Sequence, residues 1–244
     1  MPESFFNHSP AVGVVLDDVS LSRGRQRVFA SLNLTLRESR IGLVGDNGAG
    51  KSSLLRLLCG LEQPSSGALH WPAGSPAARG QFAGVVGMMF QNPDEQLVFP
   101  TVEEELALSL APQRLPRRES LQRARDALAA RGLGDWAGRA LSSLSQGQRQ
   151  HVCWLSLLIA APAMLLLDEP FASLDLPGQS RLLREIRGSQ QQTIVASHIL
   201  APLYHFDRVI WLERGQVRAD GPAADVCAAY EADVALRIAS EGPP

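Results

Sequence analysis

A glycine-rich segment is the first stretch of this sequence whose residue types and spacing could do chemistry. It reads G-D-N-G-A-G-K-S and matches the pattern G-x-x-x-x-G-K-[ST]. The glycines of this pattern let the backbone curl, so that successive N–H groups point at phosphate oxygens. A helix that begins at the lysine adds the positive end of its dipole. The segment therefore predicts a nucleotide site formed by Gly45, Asp46, Asn47, Gly48, Ala49, Gly50, Lys51, Ser52 and Ser53.

Lys51 and Ser52 carry the most specific expectations within this loop. The ammonium group of Lys51 is expected to reach the β- and γ-phosphates, and the Ser52 hydroxyl to ligate Mg²⁺. Lys51 is the one lysine among the 23 Lys and Arg residues. A genome composition that favours Arg codons explains the 22 arginines, and a requirement for an ammonium group at position 51 explains the exception. A chance match to a glycine-rich turn is the alternative. It is disfavoured because a predicted strand, 40–44, precedes the loop and a predicted helix, 51–59, follows it.

Two consecutive carboxylates end an apolar stretch further along the chain. Residues 164–169 read M-L-L-L-D-E, which predicts a buried strand followed by Asp168 and Glu169. Asp168 is expected to hold magnesium through water, and Glu169 to polarise the attacking water as a general base. Taken alone, such a pair more often marks a solvated loop. Together with the glycine-rich loop, it predicts a P-loop NTPase.

A third polar segment precedes this strand. Residues 144–150 read L-S-Q-G-Q-R-Q, and a serine and a glycine at the start of a helix present a hydroxyl and free N–H groups. These groups form a second phosphate-binding surface. If the segment lies in a helical insertion, it cannot fold back onto its own glycine-rich loop. It is then expected to serve the γ-phosphate of a nucleotide bound to a second molecule.

The predicted elements position these segments. Apolar runs at 85–90, 163–167 and 193–196 predict further strands of a buried sheet, whereas 101–159 has a helical pattern that begins with a capping box of Thr101 and Glu104. A hairpin is expected to turn at Arg214-Gly215, and the Ala-rich tail to end in a helix. The predicted fold is α/β, a P-loop NTPase (RecA-like) core with an antiparallel β subdomain and an inserted α-helical subdomain.

Composition narrows the function classes. The 244 residues suit one large domain, and the net charge of −2 gives no sign of bulk nucleic-acid binding. Three widely spaced cysteines in apolar surroundings predict buried thiols in a reducing compartment. The N-terminus lacks the pattern of a signal peptide, and the apolar stretch 152–167 is too interrupted to span a bilayer. Any membrane role is therefore expected to go through a partner.

Residues 144–148 resemble the signature motif of ABC ATPases, which usually reads L-S-G-G-Q. Other landmarks of that family stand in order along the chain: Gln91 resembles the Q-loop glutamine, Ser173-Leu174-Asp175 the D-loop, and Ser197-His198 the switch histidine. The resemblance covers about 12–226. It implies one ABC ATPase domain at 12–244, made of a nucleotide-binding core at 12–95 and 160–244 and a helical signature subdomain at 96–159.

The resemblance also implies how the residues divide between two chains. ATP is expected to lie between two such subunits, where one contributes Gln91, Glu169 and His198 as catalytic residues and Ser52, Gln91 and Asp168 to the metal. The other subunit is expected to contribute Ser145, Gln146, Gly147, Gln148 and Asp175. Two positions depart from the family. Gln146 replaces the first signature glycine, and Arg23 stands where many members carry an aromatic ring that stacks on adenine, although a guanidinium plane can also stack on a base.

The segment F-Q-N-P-D-E-Q-L at 90–97 resembles the Q-loop of ATPases from energy-coupling-factor importers, which take up vitamins, cobalt or nickel. This resemblance implies a transmembrane coupling protein docked beside the Q-loop, a small substrate-capture membrane protein, and a peripheral position on the cytoplasmic face of the membrane. A biotin-type system is favoured by the signature variant and the short C-terminus. Five residues are expected to make the docking groove negative, with a solvated acidic helix start as the alternative: Asp94, Glu95, Glu103, Glu104 and Glu105.

Three other classes stay open. A conventional ABC importer or exporter ATPase would share every catalytic residue. A non-transport ABC ATPase of chromosome maintenance or DNA repair would need long coiled coils or DNA-binding modules, and this acidic chain shows neither pattern. A regulatory subunit that binds nucleotide without turnover would not require Gln91, Glu169 or His198.

Overall fold

A computed structural model describes residues 13–72, 77 and 81–241 of the chain. The strands in these ranges are β1 (Val14–Arg23), β2 (Gln26–Leu36), β3 (Arg40–Val44), β4 (Ser66–His70), β5 (Val86–Met89), β6 (Met164–Asp168), β7 (Gln192–Ala196), β8 (Arg208–Glu213) and β9 (Gln216–Gly221). The helices are α1 (Lys51–Leu58), α2 (Val102–Leu108), α3 (Arg117–Ala129), α4 (Gln146–Ala160), α5 (Leu176–Gly188) and α6 (Ala223–Glu241).

The larger sheet brings the predicted site segments to one edge. Its strand order is β5-β6-β7-β3-β8-β9, and every neighbouring pair is parallel except the β8–β9 hairpin. β3, β6 and β7 are buried along their whole length, as is typical of parallel strands covered on both faces. Because these strands run in the same direction, the glycine-rich loop, Asp168-Glu169 and Ser197-His198 all lie at their carboxyl ends. Ligands of open α/β sheets bind at this edge.

A separate antiparallel sheet, in the order β2-β1-β4, forms the predicted β subdomain. Its apolar side chains share one buried cluster with α1, β3 and β6, in which Leu16 and Phe29 of the small sheet pack with Leu54 and Leu166 of the core. This shared core fixes the small sheet against the larger one. Arg23, the last residue of β1, is thereby carried to the nucleotide side of the molecule.

The segment between β5 and β6 is helical, as predicted. α2, α3 and part of α4 bury a third apolar cluster of their own, and the backbone bridge in the fully described stretch 101–159 is Thr101 with Ala140. Helix α4 belongs to both regions, because Val152 joins this cluster whereas Cys153 joins the core of the larger sheet. The fold class is confirmed, while the subdomain boundaries stay a prediction.

The start of α2 differs from the predicted capping box. The Thr101 hydroxyl donates to the Glu104 carboxylate (2.8 Å) and makes no cap to the backbone. The capping-box prediction is therefore wrong at this helix, because the Glu104 carboxylate accepts from the Thr101 hydroxyl instead of the Thr101 N–H, and that hydroxyl accepts from no backbone N–H. A capping box forms instead at α4, between Ser145 and Gln148.

The hairpin predicted at Arg214-Gly215 is confirmed between β8 and β9. Both residues have positive φ, 49° and 77°, which matches the two-residue turns that suit the twist of paired strands. A Cβ at Gly215 would lie 1.7 Å from the Val28 carbonyl oxygen, so glycine is required. The Gly215 N–H also donates to the Ala49 carbonyl (3.1 Å), which ties the hairpin to the glycine-rich loop.

The prediction of buried thiols is confirmed for two of the three cysteines. All three cysteines are free, and Cys153 and Cys227 are buried as predicted, whereas Cys59 is only half-buried. Burial raises the pKa of Cys153 to about 12.

Among the described residues, no helix is long and apolar enough to cross a membrane. The prediction that a signal peptide is absent concerns residues 1–12, outside the described ranges.

Candidate active site

The glycine-rich loop joins β3 to α1 at the carboxyl edge of the large sheet. Gly45 and Gly50 have φ values of 138° and 107°, which glycine adopts more readily than any other residue. A Cβ at Gly45 would lie 2.1 Å from the Leu212 carbonyl oxygen, and one at Gly50 would lie 2.6 Å from the Phe29 ring. The two glycines therefore let the loop lie directly against β8 and β2.

Lys51 is the first residue of α1, and its side chain is buried in this loop. Its Nζ donates to the carbonyl oxygens of Gly45 (2.6 Å) and Asp46 (3.2 Å). Burial lowers the pKa of Lys51, while the carboxylates of Glu169, Asp168 and Asp46 act in the opposite direction. The ammonium group is thus held inside the loop, where it can exchange carbonyl oxygens for phosphate oxygens.

Asp168 ends β6 with a buried carboxylate. Its Oδ1 has no hydrogen-bond partner among the described residues. Burial raises the pKa of this carboxyl, and a hydrogen bond with Ser52 lowers it. A buried carboxylate oxygen without a partner, beside a hydroxyl, offers the hard oxygen donors that Mg²⁺ prefers. The donor chemistry of Ser52 and Asp168 therefore fits the metal predicted for them.

Glu169 and His198 lie beside each other at the ends of β6 and β7. The Glu169 N–H donates to the Ala196 carbonyl (2.8 Å) and continues the pairing of these strands. The Glu169 carboxylate accepts a hydrogen bond from the His198 N–H (3.1 Å) and lies 2.7 Å from its Nδ1. Glu169 has a φ of 51°, a backbone conformation that is uncommon outside glycine and clusters at functional sites. The carboxylate is thus held in one orientation, as a general base requires.

A cavity of about 840 Å³ gathers the predicted nucleotide residues. Its wall includes the loop 45–53, Gln91, Glu169 and His198. Arg23 also lies on the wall, where its guanidinium forms an ion pair with Glu62. The geometry brings these residues together, and their individual roles, including stacking of adenine on Arg23, stay predictions.

Three further residues on this wall escaped the sequence analysis, namely Gln26, Val28 and Tyr230. Gln26 pairs with Arg23 across the β1–β2 hairpin, so pairing of the two predicted strands would have found it. Tyr230 lies on α6, and nothing in its local sequence points to the loop. Its hydroxyl donates to Oδ1 of Asp46 (3.1 Å).

The signature segment forms a different surface. It lines a cavity of about 530 Å³ that shares no lining residue with the nucleotide cavity among the described residues. Ser145 Oγ accepts from the Gln148 N–H (3.2 Å), and Gln148 Oε1 accepts from the Ser145 N–H (3.0 Å). Gln146 donates to the Ser173 hydroxyl (3.0 Å). The segment therefore does not fold back onto its own glycine-rich loop.

Asp175 and Gly147 lie on this same second surface. Oδ1 of Asp175 accepts from the Gly178 N–H (2.9 Å), so this carboxylate caps α5 within its own chain. Such a cap is a common and stabilising use of Asp at the start of a helix. The contact of Asp175 with a second chain stays a prediction.

Four of the five acidic residues near the Q-loop have partners within the chain. Glu105 is buried, and its Oε2 accepts from the N–H groups of Val98 and Phe99 (both 2.9 Å). Three of the other acids form ion pairs with arginines: Glu103 with Arg125 (2.6 Å), Glu104 with Arg117 (3.3 Å) and Asp94 with Arg149 (3.1 Å). Of the five, Glu95 alone has no ion pair or side-chain hydrogen bond within the described ranges. Arginines distant in sequence thus pair with three of the five acids and reduce the expected concentration of negative charge, whereas Glu105, which lines the docking groove, has no arginine partner among the described residues.

The comparison with protein families agrees with these motifs. The model described as ABC transporter matches residues 29–172, more than half of the chain. This chain belongs to the ABC transporter family. The ABC subunit is therefore an ATP-hydrolysing enzyme that binds ATP, and the nucleotide cavity is its predicted ATP site.

Two relatives and one solved structure are similar to the ABC subunit over most of its length. The biotin transport ATP-binding protein BioM of Rhodobacter capsulatus is 46% identical over 213 residues, which cover 87% of this chain and 91% of that protein. The energy-coupling factor transporter ATP-binding protein EcfA1 of Ligilactobacillus salivarius is 32% identical over 217 residues, or 85% and 77% of the two chains. The structure of cbiO1 from Clostridium perfringens, part of the complex cbiONQ, superposes with a TM-score of 0.76 at 24% identity, and covers 94% of this chain and 96% of that one.

Proposed function

We propose that this ABC subunit hydrolyses ATP to drive uptake of a solute through an energy-coupling-factor transporter, and that the solute is biotin. One structural observation carries the coupling part of this proposal. Gln91 lines the ATP cavity, and Gln96, five residues along the same loop, lines a separate groove of about 320 Å³. A change at the γ-phosphate can therefore reach the groove through one short segment. The similarity to BioM supports biotin as the solute.

The groove has the chemistry of a protein-docking surface. Its walls include Gly87, Leu108 and Leu157, and Leu108 is 42% exposed. Val98 and Phe99, which follow the Q-loop, are 69% and 39% exposed. Clustered exposed apolar side chains commonly mark interaction sites. A transmembrane coupling protein therefore docks here through an apolar helix, while the paired acidic residues contribute little.

The ABC subunit's own residues account for the reaction at the γ-phosphate. The loop N–H groups and Lys51 bind the phosphates, and Glu169 accepts a proton from the attacking water. His198 holds the Glu169 carboxylate in place through two contacts. Bound Mg²⁺ would neutralise charge on the β- and γ-phosphates, and Ser52, Gln91 and Asp168 are the residues that would hold it.

A second ATPase chain completes the site. Ser145 and Gly147 line a cavity that shares no described lining residue with their own ATP cavity. They therefore bind the γ-phosphate of ATP held by a partner, and the two chains close around two nucleotides. Opening after hydrolysis moves the Q-loop groove and the membrane partner docked in it. The complex also includes a small membrane protein that captures the solute, so the ABC subunit lies peripherally on the cytoplasmic face of the membrane.

Purification of the tagged chain from membranes tests this proposal. Mass spectrometry should identify a transmembrane coupling protein and a small membrane protein that carries biotin. Leu108→Asp should lose both partners and retain ATP binding, whereas Leu236→Asp, on an α6 residue that is 72% exposed, should keep them.

Two results would contradict the proposal at different levels. Recovery of large transmembrane domains without a small capture protein would favour a conventional ABC transporter. A metal ion or another vitamin in the capture protein would overturn biotin and leave the mechanism of coupling intact.

A further inference from the structure

The phosphate-binding loop contains an acidic residue. Asp46 follows Gly45 directly, and its side chain lies beside the loop whose N–H groups and lysine are to bind ATP. A carboxylate at this position repels a triphosphate and opposes the positive potential of the loop. The chain must therefore either tolerate this charge or neutralise it.

Helix α6 neutralises the charge of the Asp46 carboxylate. Arg237 donates from two guanidinium nitrogens to the two Asp46 oxygens, Nη1 to Oδ2 (2.6 Å) and Nη2 to Oδ1 (3.1 Å). Tyr230, two turns earlier on the helix, donates its hydroxyl to Oδ1 (3.1 Å). The hydrogen bonds from Arg237 hold the pKa of Asp46 below its ordinary value. Asp46 is thus ionised and fully paired, in the two-pronged geometry that arginine forms with carboxylates.

Arg237 is held in place by other contacts within the chain. Its Nε pairs with Asp233 one turn earlier (2.9 Å), and Asp233 in turn pairs with Arg218 on β9 (3.1 Å). The Tyr230 ring packs edge-on against Trp211 of β8, with ring centroids 5.2 Å apart. The cation is therefore fixed on a helix that is anchored to the large sheet.

We propose that Arg237 is a positioning residue for ATP, which acts by neutralising Asp46 so that the loop presents net positive charge to the phosphates. Tyr230, which also lines the ATP cavity, assists by fixing the orientation of the Asp46 carboxylate. The C-terminal helix is in this way part of the nucleotide site. The inference rests on the ATP site alone and does not depend on the transported solute.

Charge neutralisation makes a prediction of opposite signs for the two partners. Arg237→Gln leaves Asp46 unpaired, and ATP binding should weaken roughly three- to tenfold, as expected for one charge near a solvent-exposed site. ADP should be affected less, because it carries less negative charge. Asp46→Asn leaves the cation of Arg237 facing the phosphates, so ATP should bind more tightly. The double variant should return to within about twofold of the unmodified chain, and added salt should shrink every difference.

Calorimetric titration of the full chain with ATP and ADP tests this inference. Arg237→Lys, which keeps the charge, should retain most of the affinity, and Arg184→Gln on α5 serves as the control for loss of one exposed arginine. Thermal melting of each variant confirms that it is folded. Lys51→Ala should abolish binding in any case, which establishes the ATP site separately.

Two outcomes would overturn the role given to Arg237. One is unchanged ATP affinity in Arg237→Gln. The other is a double variant that binds ATP as weakly as Arg237→Gln alone. That result would show that the guanidinium stabilises α6 and does not act through the charge of Asp46. In both cases ATP binding by the unmodified chain would leave the proposed function standing.

Discussion

The ATP cavity and the signature surface are both predicted to bind phosphate, yet they are built from different chemistry. The ATP cavity and the strand end beside it keep ionisable groups buried at the edge of a parallel sheet: Lys51, Asp168 and Glu169. The signature surface offers the Ser145 hydroxyl and the N–H groups at the start of α4, which are neutral. The first surface can hold charge and move a proton, whereas the signature groups of the second can only donate hydrogen bonds to a phosphate. In the proposed mechanism neither is a complete active site, so hydrolysis is expected to depend on the association of two chains.

The largest effect is expected on the charged side of this comparison. Lys51→Ala removes the buried ammonium group from the phosphates, so ATP binding and turnover should both collapse, by roughly 10²–10³-fold or more. Lys51→Arg should also fail, because a planar fork does not fit where a point charge lies among the loop carbonyls. Steady-state ATPase assays and ATP titration measure both losses. Activity near that of the unmodified chain in Lys51→Arg would refute the requirement for an ammonium group.

A smaller and different effect is expected at the signature surface. Ser145→Arg places a bulky cation on the signature surface, so turnover should fall by roughly 10²-fold while each chain still binds ATP. Ser145→Ala is the matched control, because it loses the same cap to the Gln148 N–H without filling the surface. It should retain more turnover than the Arg variant. Loss of ATP binding by Ser145→Arg would break the separation of the two surfaces.

The smallest effect on catalysis is expected at Gly215, in the hairpin that supports the glycine-rich loop. Gly215→Ala forces a Cβ within 1.7 Å of the Val28 carbonyl oxygen at a positive φ, and should destabilise the fold by about 2–4 kcal/mol. Gly132→Ala is the control, since it also has a positive φ but open space around it, and should cost about 1 kcal/mol. Thermal denaturation measures both. Equal melting temperatures would show that the hairpin yields at little cost.

The sequence predicted most of the ATP cavity because the relevant signals are local. The glycine-rich loop, Asp168 and Glu169 each depend on a few consecutive residues next to a buried strand. A parallel sheet then brings their carboxyl ends together without further information. The same local reasoning failed for Thr101, whose hydroxyl is taken by Glu104 rather than by the backbone.

Contacts between distant residues were beyond such reasoning. Asp46 meets Arg237 across 191 positions, and the Q-loop acids meet arginines on other helices. Each pairing depends on the packed arrangement of elements and on no local spacing. Charge counted along the sequence therefore overstated the unpaired charge near the Q-loop.

Trapping of ATP between two chains tests the shared site most directly. Glu169→Gln keeps the volume of the side chain and removes the base, so hydrolysis should fall ~10²–10⁴-fold while Lys51 and Asp168 still hold ATP and Mg²⁺. Gel filtration of this variant with ATP and Mg²⁺ should show a stable dimer, and the same chain with Ser145→Arg added should elute as a monomer. A Glu169→Gln chain that binds ATP tightly but stays monomeric, even with its membrane partner present, would contradict the shared site.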